Sequence, residues 1–447
     1  MIYHLVIKIK YIYHRRLIMV YQTIPASVQS FMDHINSLTQ QDNPKWGEIF
    51  NKCFANTLLT TVKRQKDGTT FLLTGDIPAM WLRDSTAQVR PYLPIAKDDA
   101  DLADMIAGLV KRQFFYINID PYANAFNEEP NNAGHQTDNT EMNPWIWERK
   151  YEIDSLCYPV QLAYLLHQAT GQTDQFNADF HEGVAKILEV FETEQHHENS
   201  PYTFERDTWR EEDTLTHDGR GTPVGYTGMT WSGFRPSDDR CIYGYLVPSN
   251  MFAVVILGYL EELYTSLFNQ PEVAQRAKKL KEEIDAGIRQ YAQVQNQAGE
   301  TIYAYEVDGL GHYSIQDDSN VPSLMSAPYL GYCAEDDPVY LATRRTLLSK
   351  ENPYYYEGKY AKGIGSSHTP ENYIWPIAVS IEGMTTSDKA EKKRILDMLA
   401  ATTGGTDLMH EGVHVDDPTK YTREWFSWAN MMFCELVMDY YDIRVEK

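Results

Sequence analysis

The feature that most constrains the fold is a succession of segments with apolar residues at helical spacing, which begins at Ile24 and continues to the C-terminus. Clusters of Pro, Gly, Asp and Asn separate these segments, and no alternating strand pattern is repeated between them. The predicted helices cover 24–39, 45–63, 80–94, 99–116, 148–169, 175–196, 247–268, 271–294, 320–331, 337–349, 372–385, 387–402 and 421–443. Such a series predicts an all-α chain of six helical hairpins closed into a toroid.

Long polar, aromatic loops interrupt the helices at 117–147, 199–246, 299–319, 350–371 and 403–420. Loops of this length are uncommon in compact domains and usually functional. Several follow every second helix, which predicts that they gather on one face of the toroid. Short β-hairpin strands are expected in or beside them, at 69–74 and 301–307.

No linker divides the helical series, so we expect residues 19–447 to form a single domain. Residues 1–18 place charges inside an apolar stretch, and no small-residue cleavage site follows them. We expect this segment to be a disordered extension or the product of an upstream start codon, because ordinary protein sequence begins at Met19.

The chain is acidic, with 40 basic against 63 acidic residues and a formal net charge of -23. Such a charge repels phosphate backbones and anionic lipids, which argues against nucleic-acid and membrane partners. The five cysteines are scattered and form no C-x-x-C pair, so we expect free thiols in a reducing, cytoplasmic compartment and no bound metal.

Residues 77–85 contain the first candidate binding group, in which Arg83 and Asp84 follow Trp81 at the start of a helical pattern. An adjacent Arg and Asp can chelate vicinal sugar hydroxyls, the Arg donating and the Asp accepting hydrogen bonds. The alternative is a structural ion pair with Asp84 near a helix N-terminus.

Residues 138–154 contain the second group, in which Asn139 and Glu141 lie close to Trp145 and Trp147. Polar groups and indoles in this arrangement are typical of a sugar pocket. A capping loop with packed tryptophans would have the same composition, and both interpretations remain open.

Residues 226–240 contain the third group, with Trp231, Arg235 and the pair Asp238–Asp239. Pro236 and the glycines predict a rigid, non-helical loop, which suits a positioned acid. Neighbouring carboxylates raise one another's pKa, as a proton donor at neutral pH requires. Two Asp beside two Arg also resemble an ordinary surface charge cluster.

Three further candidates lie in the second half of the chain. Asp318 and His368 stand in segments rich in hydroxyl-binding groups, which would equally serve as turns and helix caps. Trp428 lies on a helical segment and is either the floor of a pocket or part of the core.

The segment His410-Glu411-Gly412-Val413-His414 matches the H-E-x-x-H motif of zinc metallopeptidases. That motif requires a helix, so that both imidazoles share one face. Gly404 and Gly405 precede the segment, and Gly412 interrupts it, which predicts a loop instead. Glu411 is then a free carboxylate of the type that activates water.

Together, the segments PAMWLRDS at 78–85, TGMTWSGFRPSDD at 227–239 and HEG at 410–412 resemble glycoside hydrolase family 125. The resemblance runs from about Thr23 to the C-terminus. It implies an (α/α)6 barrel and an inverting, metal- and cofactor-independent exo-α-mannosidase, acting on terminal α-1,6-linked mannose of oligosaccharides or N-glycan-derived glycans. At the matching positions it implies that Asp238 is the general acid and Glu411 the general base.

Other functions remain compatible with these residues. A sugar epimerase or isomerase on the same toroid would use histidines such as His368 and His414 for proton transfer at carbon. A non-catalytic glycan-binding protein would keep the aromatic loops without needing the carboxylates. A metallopeptidase is the last alternative.

Overall fold

The computed structural model describes residues 21–318 and 320–445, so the expectation for residues 1–18 lies outside the described part. The fold is mostly helical, with small sheets between the helices. The helices are α1 (Ala26–Thr39), α2 (Pro44–Thr60), α3 (Leu82–Val89), α4 (Leu93–Ala96), α5 (Ala100–Ile119), α6 (Ile153–Thr170), α7 (Ala178–Glu194), α8 (Val247–Ser266), α9 (Pro271–Tyr291), α10 (Ala327–Leu330), α11 (Pro338–Leu347), α12 (Pro376–Met384), α13 (Lys389–Ala401) and α14 (Ser427–Tyr440).

The strands are short and pair in antiparallel sheets of two or three strands. They are β1 (Val62–Arg64), β2 (Thr70–Leu72), β3 (Met80–Trp81), β4 (Ala125–Phe126), β5 (Ile146–Glu148), β6 (Tyr245–Leu246), β7 (Gln293–Gln295), β8 (Thr301–Tyr303), β9 (Glu306–Val307), β10 (Tyr313–Ser314), β11 (Tyr355–Glu357), β12 (Lys362–Ile364), β13 (Tyr373–Ile374), β14 (Gly412–His414) and β15 (Asp417–Thr422). The strands predicted at 69–74 and 301–307 are confirmed.

The helices differ in how much of their surface is buried, which shows where each one lies. Every residue of α14 is buried, and that is typical of a helix surrounded by others. Helix α9 instead buries mainly Ala274, Ala277, Leu280, Ile284 and Ile288, one stripe at helical spacing, and presents charged residues elsewhere. The completely buried helices therefore form the interior, and amphipathic helices cover them.

The contacts between helices follow the same division. Helix α3 packs on α6 and α14, α6 packs on α8, and α12 packs on α14, so these five form a connected inner series. Helices α2, α9 and α13 pack against α14, α8 and α12, respectively. One hydrophobic cluster extends through these contacts from Tyr21 to Val445.

Several inner helices begin at the same place, next to a short strand. Helix α3 starts at Leu82 after β3, α12 starts at Pro376 two residues after the end of β13, and α14 starts at Ser427 a few residues after β15. The residue before each of these three helices has an extended backbone. The polar segments that precede the helices converge beside the helix N-termini. Helix N-termini carry partial positive charge, which favours anionic side chains nearby.

Two predicted helices differ from those observed. The segment 80–94 divides into β3, α3, a 3-10 turn and the start of α4, because Pro91 and Pro94 cannot supply the amide hydrogens of a continuous helix. The segment 320–331 is helical only over α10, and Pro322 and the Ser323 turn precede it. Within residues 21–318 and 320–445, no helix is both long and apolar enough to cross a membrane.

Candidate functional site

A cavity of about 310 Å³ lies where the N-termini of α3 and α14 meet the long loops. Its walls combine carboxylates, basic groups and aromatic rings. The lining residues are Thr74, Ile77, Trp81, Arg83, Asp84, Pro236, Ser237, Asp238, Asn320, His368, Trp375, Glu411, Arg423, Phe426 and Trp428. Among the residues predicted from sequence, Trp81, Arg83, Asp84, Asp238, His368, Glu411 and Trp428 are therefore brought together.

Arg83 is surrounded by carboxylates at the floor of this cavity. Its Nη1 lies 2.5 Å from Glu152 Oε2 and 3.4 Å from Asp154 Oδ2, and its Nε lies 3.3 Å from Asp84 Oδ2. Its Nη2 donates to Asp238 Oδ1 at 3.3 Å. One guanidinium thus faces four carboxylates, more negative charge than it can neutralise, so some of these groups retain protons.

Asp238 stands on a tight turn that presents its side chain to the cavity. The Asp238 amide donates to Arg235 O at 2.9 Å, and the Arg235 amide donates to Asp239 O at 2.8 Å. Asp238 has a φ of 66°, a left-handed conformation that is uncommon outside glycine. Residues that are held in such a backbone conformation occur often at functional sites.

The carboxyls of Asp238 and Glu152 hydrogen-bond each other. Burial raises the pKa of Glu152 well above its usual range. Burial also acts to raise the pKa of Asp238, but the Arg83 guanidinium, the hydrogen bond with Glu152 and Lys150 together hold it below its usual value. The directions of the two pKa shifts favour a proton on Glu152 over one on Asp238.

Glu411 faces the cavity from the turn before β14. Its backbone amide donates to Thr422 O at 3.2 Å, which aligns the segment with β15. Its Oε1 lies 3.8 Å from Arg423 Nη1, and 11% of its side chain is exposed. Arg423 is held in turn by Asp76, whose Oδ1 lies 3.0 Å from Arg423 Nε. Glu411 is thus a largely buried carboxylate with a cation beside it.

Asp239 points away from Asp238 and is fully engaged in hydrogen bonds. It accepts from His368 Nδ1 at 2.9 Å, from Ser367 Oγ at 2.6 Å and from Arg210 Nη2 at 3.0 Å. Burial acts against the protonated His368, but Asp239 outweighs it and raises the pKa of His368 to about 9. The same partners hold the pKa of Asp239 far below its usual range despite its burial. His368 is therefore a cation at neutral pH.

Aromatic rings complete the cavity. Trp81, Trp375, Phe426 and Trp428 line it, and the Arg83 guanidinium lies 5.4 Å from the centre of the Trp428 ring. Trp428 is 1% exposed, so it belongs to the core as well as to the floor of the cavity. Such rings offer flat apolar surfaces beside polar groups, as sugar sites require.

The remaining predicted binding residues do not line the cavity. Asn139 bonds Glu205 at the surface, and Glu141 is exposed beside Arg149. Trp231 stacks on His197 in the core, with ring centres 3.6 Å apart. The other two, Arg235 and Asp318, are buried outside the cavity lining, paired with Glu306 and Ser237, respectively.

The H-E-x-x-H segment is not helical, as the glycines predicted. His410 is buried, with Nδ1 bonded to Arg423 O at 2.9 Å and Nε2 near Thr403 O. His414 lies on β14 and its Nδ1 accepts from the Asp416 amide. The two imidazoles therefore do not share a helical face. In the described ranges no group of three or more His, Cys, Asp or Glu is arranged to hold a metal ion. His368 lines the cavity but His414 does not, so the histidine pair expected for an epimerase is not assembled there.

A larger groove of about 810 Å³ lies elsewhere, along α8 and α9. Tyr164, Tyr259, Asp285 and Tyr332 are among the residues that line it. It contains none of the residues predicted for catalysis or binding, and its polar groups are largely paired, for example Tyr332 with Asp285 at 2.9 Å. The smaller cavity is therefore the candidate site.

The family model described as the metal-independent α-mannosidases of GH125 matches residues 43–438. The chain belongs to glycoside hydrolase family 125. It is therefore a glycoside hydrolase, and its family is one of α-mannosidases that act without a metal ion. The resemblance found in the motifs is confirmed.

Known proteins that are similar to this chain agree with this assignment. A Streptococcus pneumoniae structure from a family of metal-independent α-mannosidases, in a non-productive complex with α-1,6-mannobiose, is 60% identical, covers 94% of this chain and 99% of its own, and has a TM-score of 0.93. The meiotically up-regulated gene 157 protein of Schizosaccharomyces pombe is 37% identical over 427 residues, which cover 90% of this chain and 83% of that protein. A wild-type glycosidase at 11% identity and a TM-score of 0.54, covering 89% of this chain and 97% of its own, shares the fold.

The sequence did not indicate several residues that line the cavity or contact Asp238. Arg423 and Trp375 line the cavity, while Asn124 and Lys150 contact Asp238 from behind. Asn124 lies in a loop that contains no local motif. From sequence alone, Lys150 would be predicted to be an ordinary surface lysine, although it is only 2% exposed in the fold. Only the folding of distant loops together reveals their roles.

Proposed function

We propose that this chain is an inverting exo-α-mannosidase that removes terminal, non-reducing α-1,6-linked mannose from oligosaccharides, with Asp238 as general acid and Glu411 as general base. The observation that carries the proposal is that these two carboxylates, 173 residues apart by their numbers, line one small cavity with aromatic walls. Hydrolysis with inversion needs two such groups with room for a water between them. The mannobiose bound by the S. pneumoniae relative supports the linkage.

The acid must deliver a proton to the glycosidic oxygen. Asp238 is the more exposed member of its pair, with 24% of its side chain accessible, while the Glu152 side chain is completely buried. When the leaving oxygen gains negative charge beside Asp238, the proton shared with Glu152 passes to it through Asp238. Arg83 holds both carboxyls in place and compensates the charge that remains.

The base must deprotonate a water on the opposite face of the sugar ring. Arg423 Nη1 lies 3.8 Å from Glu411 Oε1 and orients this carboxylate in the cavity, and the aromatic walls keep bulk solvent from the reacting centre. The activated water attacks the anomeric carbon as the bond to the leaving oxygen breaks. The products are β-mannose and a shortened glycan.

The size of the cavity supports exo action. A volume of about 310 Å³ is at the lower end of small-molecule sites, which suits one terminal sugar rather than the interior of a long chain. The convergence of helix N-termini on this cavity supports an (α/α)6 barrel formed by residues 19–447 as a single domain. The five cysteines are free thiols, which supports a cytoplasmic location.

The anomer released first tests the mechanism. Proton NMR of α-1,6-mannobiose during the first turnovers, before mutarotation, should show β-mannose. An inverting site separates its carboxyls by about 6.5–9.5 Å, whereas a retaining site with carboxyls about 5–5.5 Å apart would release α-mannose. If α-mannose appears first, the inverting mechanism and the role of Glu411 are wrong. No release of mannose at all would refute the proposed substrate.

A further inference from the structure

Trp209 is the most exposed large apolar side chain in the described part of the chain. It is 92% accessible, whereas Trp231, Trp375 and Trp428 are at most 2% accessible. An indole left in water forgoes a large apolar stabilisation, since aromatic side chains dominate the energetics of cores and interfaces. The surroundings of Trp209 show whether this exposure has a use.

The segment that carries Trp209 is held rigidly on both sides. On one side, Arg206 forms a bidentate pair with Asp138, with nitrogen–oxygen distances of 2.8 and 2.6 Å, and also reaches Glu148 at 2.8 Å. On the other side, Arg210 donates to Asp239 Oδ1 at 3.0 Å and to Ser367 O at 3.0 Å. Trp209 is therefore an exposed ring on a fixed backbone, which lowers the entropy cost of binding.

The same segment is joined, partly through Lys150, to the turn of residues 235–239 that carries the proposed acid, which we call the acid turn. Lys150 Nζ donates to Asp213 Oδ1 at 3.1 Å and to the carbonyl oxygen of Asp238 at 2.7 Å. The Arg240 amide donates to Glu212 O at 2.8 Å. Residues 206–213 therefore lie against the acid turn, at the edge of the cavity.

This position determines which part of a substrate could reach the indole. Asp238 protonates the leaving oxygen, so the acid turn lies on the leaving-group side of the bond that breaks. In the proposed function the terminal mannose occupies the cavity, and Arg210, the chain neighbour of Trp209, lies 3.3 Å from Nδ1 of the cavity residue His368. A sugar that follows the cleaved bond therefore passes the segment that carries Trp209.

We propose that Trp209 is a stacking platform for a hexopyranose unit on the leaving-group side of the bond, at or beyond the first sugar after the cleaved linkage. The C–H groups of a pyranose face pack on an indole without a fixed hydrogen-bond geometry. The platform lengthens the site from one sugar to a short mannan chain. This inference rests on the proposed mannosidase function.

Substrates that differ only on the leaving-group side test the platform. α-Mannosyl fluoride has no sugar there, α-1,6-mannobiose has one, and a linear α-1,6-mannotetraose has three. For Trp209→Ala we expect unchanged kcat/KM on the fluoride and a fall on the order of 10-fold on the tetraose, mainly through KM. Trp209→Phe should recover part of the loss. Tyr226→Ala, which removes another exposed ring outside the segment, should behave as wild type.

The possible results separate the two proposals. Wild-type protein that does not cleave mannobiose or the tetraose refutes the mannosidase proposal and the platform with it. Wild-type cleavage together with unchanged Trp209→Ala kinetics on the tetraose refutes the platform alone. An equal loss on fluoride and tetraose also refutes it, because the fluoride does not reach a leaving-group subsite. Because the Trp209 side chain is 92% accessible, the melting temperature of Trp209→Ala should match that of wild type.

Discussion

Arg83 donates a hydrogen bond from Nη2 to Asp238 Oδ1 over 3.3 Å. A cation this close stabilises the ionised carboxylate, whereas a general acid must begin the reaction with a proton. In the proposed mechanism Glu152, which bonds the other terminal nitrogen of Arg83, resolves this conflict, because its raised pKa favours a proton beside Asp238. We propose that Arg83 positions Asp238 as an acid whose proton comes from Glu152.

Glu152→Gln tests the shared proton. Without it, Arg83 and Lys150 should keep Asp238 ionised at lower pH, so the alkaline limb of kcat/KM on α-1,6-mannobiose should move to lower pH. We expect a loss on the order of 10- to 100-fold at pH 7. Hydrolysis of α-mannosyl fluoride, which needs little protonation, should persist and shows that the variant is folded. An unchanged pH profile would exclude the proton-sharing role.

Asp238→Asn should abolish proton donation while it preserves side-chain volume. We expect kcat on mannobiose to fall by about 10²–10⁴, with a much smaller loss on α-mannosyl fluoride. Asp218→Asn is the matched control, because Asp218 is exposed and also has a left-handed φ. Near-normal cleavage of mannobiose by the Asp238 variant would refute its assignment as the acid.

Glu411→Gln should affect every substrate, because attack by water is needed whatever the leaving group. We expect losses of at least about 10³ on both mannobiose and the fluoride. Glu371→Gln, which alters an exposed carboxylate, is the control and should retain activity. A Glu411 variant that still hydrolyses the fluoride at a normal rate would leave the base unidentified.

The His368–Asp239 pair should make stability depend on pH. Because Asp239 raises the pKa of His368 to about 9, the folded protein binds a proton that the unfolded chain, with an ordinary histidine pKa near 6.5, releases. This contribution is complete below about pH 6.5 and is lost as the pH rises to 9 and beyond.

The free energy of unfolding, measured by urea titration from pH 6 to pH 10, should therefore fall more steeply in wild type than in His368→Gln. The control is His34→Gln, which changes an exposed histidine on α1 and should keep the wild-type slope. Equal slopes in wild type and His368→Gln would mean that the pair does not couple protonation to folding.

Activity should survive prolonged treatment with EDTA, because no step of the proposed mechanism uses a metal and the family is described as metal-independent. The measurement is kcat/KM on mannobiose before and after chelation, with a calcium-dependent mannosidase treated in parallel. A loss that added zinc restores would revive the metallopeptidase-type interpretation of residues 410–414.

Local signals in the chain are enough to predict the mostly helical fold and the non-helical H-E-x-x-H segment, because periodicity, glycine and proline act over a few residues. They also mark the segments 78–85, 227–239 and 410–412 as candidates for the site. The choice of Asp238 over Asp239 was implied only by the family resemblance. In the fold, Asp239 is surrounded by His368, Ser367 and Arg210, while Asp238 faces the cavity. Spacing cannot distinguish adjacent carboxylates whose partners lie about 130 residues away.

The tertiary structure alone decided which polar groups share the cavity. Trp231 and Arg235 lie in the same motif as Asp238, yet one packs in the core and the other pairs with Glu306 behind the turn. Asn124 and Lys150 carry no signal in the sequence but contact Asp238. The physical reason is that burial and charge balance depend on every element that meets at a point, and those elements come from distant parts of the chain.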